Sequence, residues 1–493
     1  EGLVLLQHGI FSVGENAREA YERMIAFVSR AEERLAKGRK SFAAAPLPTA
    51  LARTTEIAPI VRGACAFGGD GGAGTVKRQI LCFRTSPSIL EYVNGAGLSH
   101  YSQQGVVTPD HTIRTKNWPL LVPAPEAGKL DEWKQAVGKA VSDFTAHYHD
   151  YFVRNNARTE PKKTELDPYP RVVLVPGKGL FGLGATAKDA AIAADIAENT
   201  IEVITDAEAI GRYQPISEAD MFEVEYWSLE QAKLGKAAEK PLARQVAVIA
   251  GGGSGIGAAT AKAMAHAGAE VAVLDRDRAA ASAVARECGK MAIALACDVT
   301  KPKDVQHAFR HVVRAFGGLD IVVSNAGAAW QGAIGSVDEE TLRQSFELNF
   351  FAHQTVAQTA VAIMKTQGTG GCLLFNVSKQ AVNPGRDFGP YGLPKASTLF
   401  LMKQYALDHG RDGIRSNAVN DDRIRSGLLT DSMIAARSQA RGLAETDYMS
   451  ANLLGREVTA EDVADAFVFL ATANKTTAAI LTVDGGNIEA SLR

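Results

Sequence analysis

Tyr391 and Lys395, in the run Tyr391-Gly392-Leu393-Pro394-Lys395, place a phenol and an ammonium four residues apart. On a helix such a spacing puts both side chains on one face. Pro394 is tolerated in a first turn, where its missing N–H is not needed, so the helix is expected to begin near Tyr391 with the phenol at its mouth. A free phenol ionises near pH 10, and a nearby ammonium favours the phenolate. Lys395 is therefore expected to draw Tyr391 toward the range of a useful general base. Ser378, thirteen residues before Tyr391 with no other serine or threonine between them, ends a strand-like run and can hydrogen-bond a substrate oxygen. Asn349 interrupts Phe346-Glu347-Leu348-Asn349-Phe350. An amide there either holds a backbone group or a water, or is purely structural.

Upstream stands a glycine-rich turn, Ala250-Gly251-Gly252-Gly253-Ser254-Gly255-Ile256-Gly257, between a strand-like run (245–250) and a helix-like run (256–267). Gly251, Gly253, Gly255 and Gly257 let the backbone pass close to a pyrophosphate, and the helix start at Ser254 and Ile256 offers free N–H groups and partial positive charge. The next strand ends at Asp275, whose carboxylate would bond a ribose diol and repel a 2′-phosphate. Arg276 argues for NADP. Ser254, in a turn where NADP users often carry a basic residue, argues against it, so NAD is expected. Asp298, followed by Val299, ends the third strand and would face the adenine, or is a turn former. Asn325-Ala326-Gly327 ends the fourth strand beside the cofactor. With Tyr391 and Lys395, these residues point to hydride transfer at an alcohol or carbonyl.

The elements that must position them alternate regularly. Strands are expected at 246–250, 270–275, 292–297, 321–324, 372–377, 416–419 and 480–483, with helices between, which gives a parallel doubly wound α/β sheet. At 493 residues the chain is too long for one core. Two domains are expected, 1–235 and 236–493, joined through a Lys/Ala/Glu-rich linker at 233–241. The net charge of −2 gives no reason to expect nucleic acid, and no apolar run is long enough to span a bilayer. The five cysteines are scattered, as suits reduced thiols in a cytoplasm. A homo-oligomer acting on a small molecule is expected.

Residues 243–486 resemble a short-chain dehydrogenase/reductase in the glycine turn, Asn325-Ala326-Gly327, Asn349, Ser378, Tyr391-x-x-x-Lys395 and Val483-Asp484-Gly485-Gly486. The resemblance implies an Asn349/Ser378/Tyr391/Lys395 tetrad, with Lys395 also binding the nicotinamide ribose. Two positions depart from the family. Ala250 stands where Thr is common, and Asp421-Asp422 follow Asn417-Ala418-Val419-Asn420 where Pro-Gly is usual. That loop normally touches the nicotinamide.

Ahead of the linker, strands are expected within 3–13, a helix over 16–37, loops over 38–78, mainly helix over 79–105 and 129–155, a strand at 171–175 and a helix over 185–211. Leu5-Leu6-Gln7-His8-Gly9-Ile10 and the helix after it resemble the end of a class II aldolase (adducin-type) domain. The resemblance implies that His8 is one of three zinc ligands, the other two being an upstream HxH pair. The one HxH here, His147-Tyr148-His149, falls in a helical run, where i and i+2 diverge. Zinc is therefore expected only in a longer parent, of which this chain, opening without Met on an apolar run, would be a fragment. With Thr108-Pro109-Asp110-His111-Thr112-Ile113-Arg114-Thr115-Lys116, the whole resembles the bifunctional rhamnulose-1-phosphate aldolase/alcohol dehydrogenase family, which implies sugar catabolism. A metal-dependent aldolase is the alternative function. His111, Arg114 and Lys116 would bind a sugar phosphate or lie in a solvated loop. Gly177-Lys178-Gly179-Leu180-Phe181-Gly182 also spells GxGxxG, but no second strand ending in an acid follows, so a structural or phosphate-binding loop is expected.

Overall fold

Strand and helix alternate from Val246 onward, and in a computed structural model they build a seven-stranded parallel sheet. The structure describes residues 2–5, 9–38, 42–68, 76–235 and 238–486. His8, part of the glycine cluster 68–74 and part of the expected linker lie outside them. The chain divides into two compact units, residues 1–57, 81–184 and 188–237 in one, and residues 58–80, 185–187 and 238–493 in the other.

In the second unit the strands are β1 (Val246–Ala250), β2 (Glu270–Asp275), β3 (Ile293–Ala296), β4 (Ile321–Ser324), β5 (Gly371–Ser378), β6 (Ile414–Asp421) and β7 (Ile480–Val483). They lie in the order β3-β2-β1-β4-β5-β6-β7. The main helices are α1 (Gly255–His266), α2 (Arg278–Cys288), α3 (Pro302–Phe316), α4 (Ala352–Gln367), α5 (Gly389–His409) and α6 (Ala460–Thr472). Side chains alternate along each strand, so one sheet feeds two cores. Val248, Val322, Leu373 and Phe375 pack on Phe309, Val356, Met364 and Met402 of α3, α4 and α5. Ile249, Val273, Val323 and Leu374 pack on Met264, Val284, Phe467 and Leu470 of α1, α2 and α6. The strand order reverses between β1 and β4, and in such sheets ligands bind beyond the carboxyl ends at that point.

The opposite, amino end of the central strands is tied by a buried ion pair. Arg62, in the helix Thr54–Ala64, meets Asp320, just before β4, through Nη1 to Oδ1 at 2.9 Å and Nη2 to Oδ2 at 2.7 Å. Arg78 reaches the same carboxylate at 3.0 Å, and the Val246 amide donates to it at 2.8 Å. Burial alone would push Asp320 up, but Arg62 and Arg78 outweigh it and hold the carboxyl below its ordinary range.

The first unit differs from its sequence reading in several places. Residues 54–64 form a helix and not a loop, with Pro59 inside it. Ile80–Arg84 is a strand, followed by the short helices Pro87–Val93 and Leu98–Tyr101. The expected helices stand at Ala17–Leu35, Leu130–Asn156 and Ala187–Ile210. The GxGxxG run is the turn and returning strand of a hairpin, Val172–Val175 pairing antiparallel with Gly179–Gly184. Its glycines serve packing. A Cβ at Gly182 would stand 2.3 Å from the Ala190 carbonyl oxygen, and one at Gly184 would stand 2.4 Å from the Ala190 nitrogen.

Nor is 108–116 a solvated loop. Thr108 caps the helix Pro109–Thr115, His111 is buried with Nδ1 2.6 Å from Thr108 Oγ1, and Lys116 is buried 4.0 Å over the Tyr148 ring and 3.6 Å from Glu225. His147 meets the Trp118 ring edge-on while His149 bonds Glu165 at 2.9 Å, so the two imidazoles go to different partners.

Candidate active site at the carboxyl ends of the sheet

The glycine turn leaves β1 tightly folded. Gly251 has φ +73°, and a Cβ on it would stand 2.7 Å from Ala326 Cα. On Gly257 a Cβ would lie 2.0 Å from the Gly251 carbonyl oxygen, so α1 starts against its own strand. Gly255, at φ +51°, faces Ser426. Ser254 is the N-cap of α1 but makes no side-chain capping bond, which leaves the first helical amides available, Ile256 and Gly257 among them. This cradle would be filled by any side chain at these positions, and it fits a pyrophosphate at a helix N-terminus.

Asp275 closes β2 beside the turn, with Oδ2 accepting from the Gly253 amide at 2.9 Å and Oδ1 from the Asp277 amide at 3.0 Å. Asn325 Nδ2 donates to the Gly251 carbonyl at 2.9 Å, and the Ala326 amide donates to the Ala250 carbonyl at 3.1 Å. Gly327 lies by Asn349 and Lys395, its would-be Cβ 3.0 Å from Asn349 Oδ1 and 3.5 Å from Lys395 Nζ. Asp298 accepts from the Thr300 hydroxyl at 2.6 Å and amide at 3.1 Å and pairs with Lys301, bonds that hold its carboxyl below the ordinary range. That is the geometry of a turn former. Val299 is buried in the core.

Asn349 sits in a π-helical turn, Glu347–Phe351, and is fully buried. Its Nδ2 donates to the Ala328 carbonyl at 2.8 Å and the Ser345 hydroxyl at 3.1 Å, and its own carbonyl accepts from Thr398 of α5 at 2.6 Å. The amide does hold a backbone group, and the extra residue in the turn lets it do so.

Ser378 ends β5 on the side of the Tyr391 phenol, where its hydroxyl favours the ionised form of that phenol. Lys395 Nζ donates to the Asn376 carbonyl at 2.9 Å and stands 5.8 Å from the Tyr391 ring centre. The structure therefore brings Asn349, Ser378, Tyr391 and Lys395 to one place, beside the glycine turn.

Two expectations at this place need correction. The helix α5 begins at Gly389, so Pro394 lies inside it and offers no N–H to the Pro390 carbonyl. Tyr391 is not drawn down. Burial pushes its phenol well up, Asp421 adds to that, and the Ser378 hydroxyl only partly offsets it. Burial also pulls Lys395 below the ordinary lysine range, while Asp421 works the other way.

A family model for "Aldolase class II, second domain" matches residues 52–234, and one for "Enoyl-(Acyl carrier protein) reductase" matches residues 250–487. The uncharacterized oxidoreductase YuxG of Bacillus subtilis (strain 168) is 32% identical over 98% of this chain and 72% of its own. The chain belongs to the short-chain dehydrogenase/reductase family. Its dehydrogenase part follows a class II aldolase-type region, and the protein is an oxidoreductase. L-rhamnose 1-dehydrogenase (NAD(P)(+)) of Sphingomonas sp. (strain SKA58) is 34% identical over 40% of this chain and 76% of its own. A solved short-chain type dehydrogenase/reductase from Mycobacterium marinum covers 50% of this chain and 95% of its own at 30% identity, with a TM-score of 0.46.

Three further residues of this dehydrogenase's centre were not found from sequence. Asn376 carries Lys395 on its carbonyl and bonds Asn325 Oδ1 through Nδ2 at 2.8 Å. It lies two residues before Ser378 on β5, hence on the same face, and that spacing was the available signal. His353, buried on α4 with Nδ1 2.6 Å from Ser324 Oγ, is held well below the ordinary imidazole value by burial, with Lys395 adding to it. Asp421 was noticed only as a departure from the family.

Proposed function

We propose that this centre transfers hydride between NAD and an alcohol or carbonyl of a small, sugar-type molecule. Gly251, Gly253, Ser254, Gly255, Ile256 and Gly257 would hold the pyrophosphate, Asp275 the adenosine ribose, Asn325 to Gly327 the nicotinamide half, and Lys395 the nicotinamide ribose. When bound, the nicotinamide supplies or takes up the hydride. The chain's own residues handle the proton. Tyr391 exchanges it with the substrate oxygen at Oη, Ser378 orients that oxygen, and Asn349 fixes the backbone beside them. The observation that carries this reading is the meeting of Ser378, Tyr391 and Lys395 beside the glycine turn.

The sugar-type substrate is supported by the rhamnose dehydrogenase among the relatives. A panel of sugar-derived aldehydes and alcohols, assayed with NAD and with NADP by reduced-nicotinamide absorbance, tests it. Tyr391→Phe is expected to keep NAD binding, followed by fluorescence quenching, and to lose about 10²–10⁴-fold in turnover. Near-normal turnover would remove Tyr391 from the role.

A further inference from the structure

Asp421 is the last residue of β6, in register with Ser378 of β5 on one side and Val483 of β7 on the other. Its backbone thus ends level with the serine placed to orient the substrate oxygen. The carboxylate oxygen Oδ1 is enclosed and has no hydrogen-bond partner among the described residues. Burying an unsatisfied charged oxygen is costly unless an opposite charge stands by it. The neighbouring carboxylate is committed elsewhere, since Asp422 meets Lys379 at 2.8 Å and Arg423 at 3.5 Å. Arg423 also donates to the Tyr448 and Ala451 carbonyls. The cation beside Asp421 is Lys395, whose ammonium sits on the Asn376 carbonyl, two residues before the Ser378 that lies in register with Asp421.

We propose that Asp421 is a positioning residue of the dehydrogenase centre, a buried carboxylate level with Ser378 that serves Lys395 as counter-ion and sets the charge beside the Tyr391 phenol. The inference rests on the reading of Tyr391 as the proton carrier. The shifts agree with it. Asp421 is pushed up by burial and drawn back by Lys395, and its charge acts on both Tyr391 and Lys395. The titratable and charged groups that face this position are Tyr391 and Lys395 of α5, Lys379 after β5, Asp422 and Arg423 beyond β6, Asp484 after β7, and His353 across Lys395.

The chemistry that follows concerns the proton. In carbonyl reduction, Tyr391 Oη gives its proton to the substrate oxygen and becomes phenolate, then recovers a proton from solvent. In alcohol oxidation the phenolate must exist before the alcohol can give up its proton. A protonated resting phenol favours the first direction.

The test reads the phenol directly in the full chain without cofactor. The sequence holds 11 tyrosines, so the phenolate absorbance of each protein is taken as the difference from its own Tyr391→Phe counterpart, over the pH range where far-ultraviolet circular dichroism is constant. Asp421→Asn, with Asp421→Ser as the second variant, is expected to lower the Tyr391 midpoint by about one pH unit or more, as removal of an adjacent like charge should. Asp422→Asn is expected to move it by less than half as much. An unmoved midpoint in both Asp421 variants, or an equal shift in Asp422→Asn, would overturn the proposal. Full turnover in Tyr391→Phe would overturn the proton-carrier reading, and the absorbance midpoint would still decide whether Asp421 governs the phenol.

Discussion

Asp275 does two things with one carboxylate. It holds the glycine turn through the Gly253 amide and the following turn through the Asp277 amide. Both oxygens keep lone pairs for a ribose diol. Asp275→Ala should therefore lose a hydrogen bond to a charged acceptor, about 1.5–3 kcal/mol, or roughly 10- to 100-fold in NAD affinity. It should also relax the repulsion of a 2′-phosphate, so the ratio of NAD to NADP affinity should narrow or invert. Isothermal titration with each cofactor measures this. A parent protein that already prefers NADP would mean that Asp275 does not face the ribose. At this scale the sequence was informative wherever a residue type has few other uses: a glycine at positive φ, a tyrosine with a lysine one turn on. It marked Asp421 only as a departure from the family, because a buried carboxylate is recognised by its neighbours, and those are brought together by strand register.

Among the elements, the buried pair at the amino end of the central strands is the one whose removal should be felt most. Asp320 gathers Arg62, Arg78 and the Val246 amide, and Gln367 Nε2 donates to it at 3.0 Å. Replacing one partner of such a cluster leaves buried charge uncompensated, and Asp320→Asn is expected to cost about 3–5 kcal/mol near neutral pH. The carboxyl is held below its ordinary range. Its contribution is therefore complete above the unfolded value of about 3.9 and is lost as pH falls through the native value. Urea denaturation of parent and variant should show a large gap at pH 7 that closes below about pH 4; a gap under about 1 kcal/mol at pH 7 would contradict this.

The strands of this sheet were legible because each is a buried apolar run closed by a turn, as at Val246–Ala250 and Ile321–Ser324. In the first unit that signal fades. Ile80–Arg84 is too short for periodicity to separate strand from helix, and Pro59 hides the helix Thr54–Ala64 by sitting inside it. The glycine hairpin at 179–184 mimicked a phosphate loop because close helix packing and close phosphate approach ask for the same residue.

For the whole molecule, the open matter is metal. Among the described residues no three histidine, cysteine, aspartate or glutamate side chains stand together as ligands for an ion, and a catalytic zinc usually needs three plus water. The dialysed protein is expected to retain well under one zinc per chain by atomic emission. One zinc per chain, released in His8→Ala, would show ligands outside the described residues. No helix among the described residues is long and apolar enough to cross a membrane.

The buried pair also sets a limit on modularity. Asp320 belongs to the sheet, but Arg62 and Arg78 arrive from a stretch of chain far upstream, which the sheet-bearing unit takes in as its own. A dehydrogenase excised at residue 238 would keep the whole catalytic cluster and lose both guanidinium groups, leaving an acid with no counter-charge under β1 and β4. Such a piece would have to find its cation from a co-expressed peptide of residues 58–80, or have the acid removed. Fusion and domain-swap designs on this scaffold should therefore be cut ahead of residue 58, or carry that peptide along.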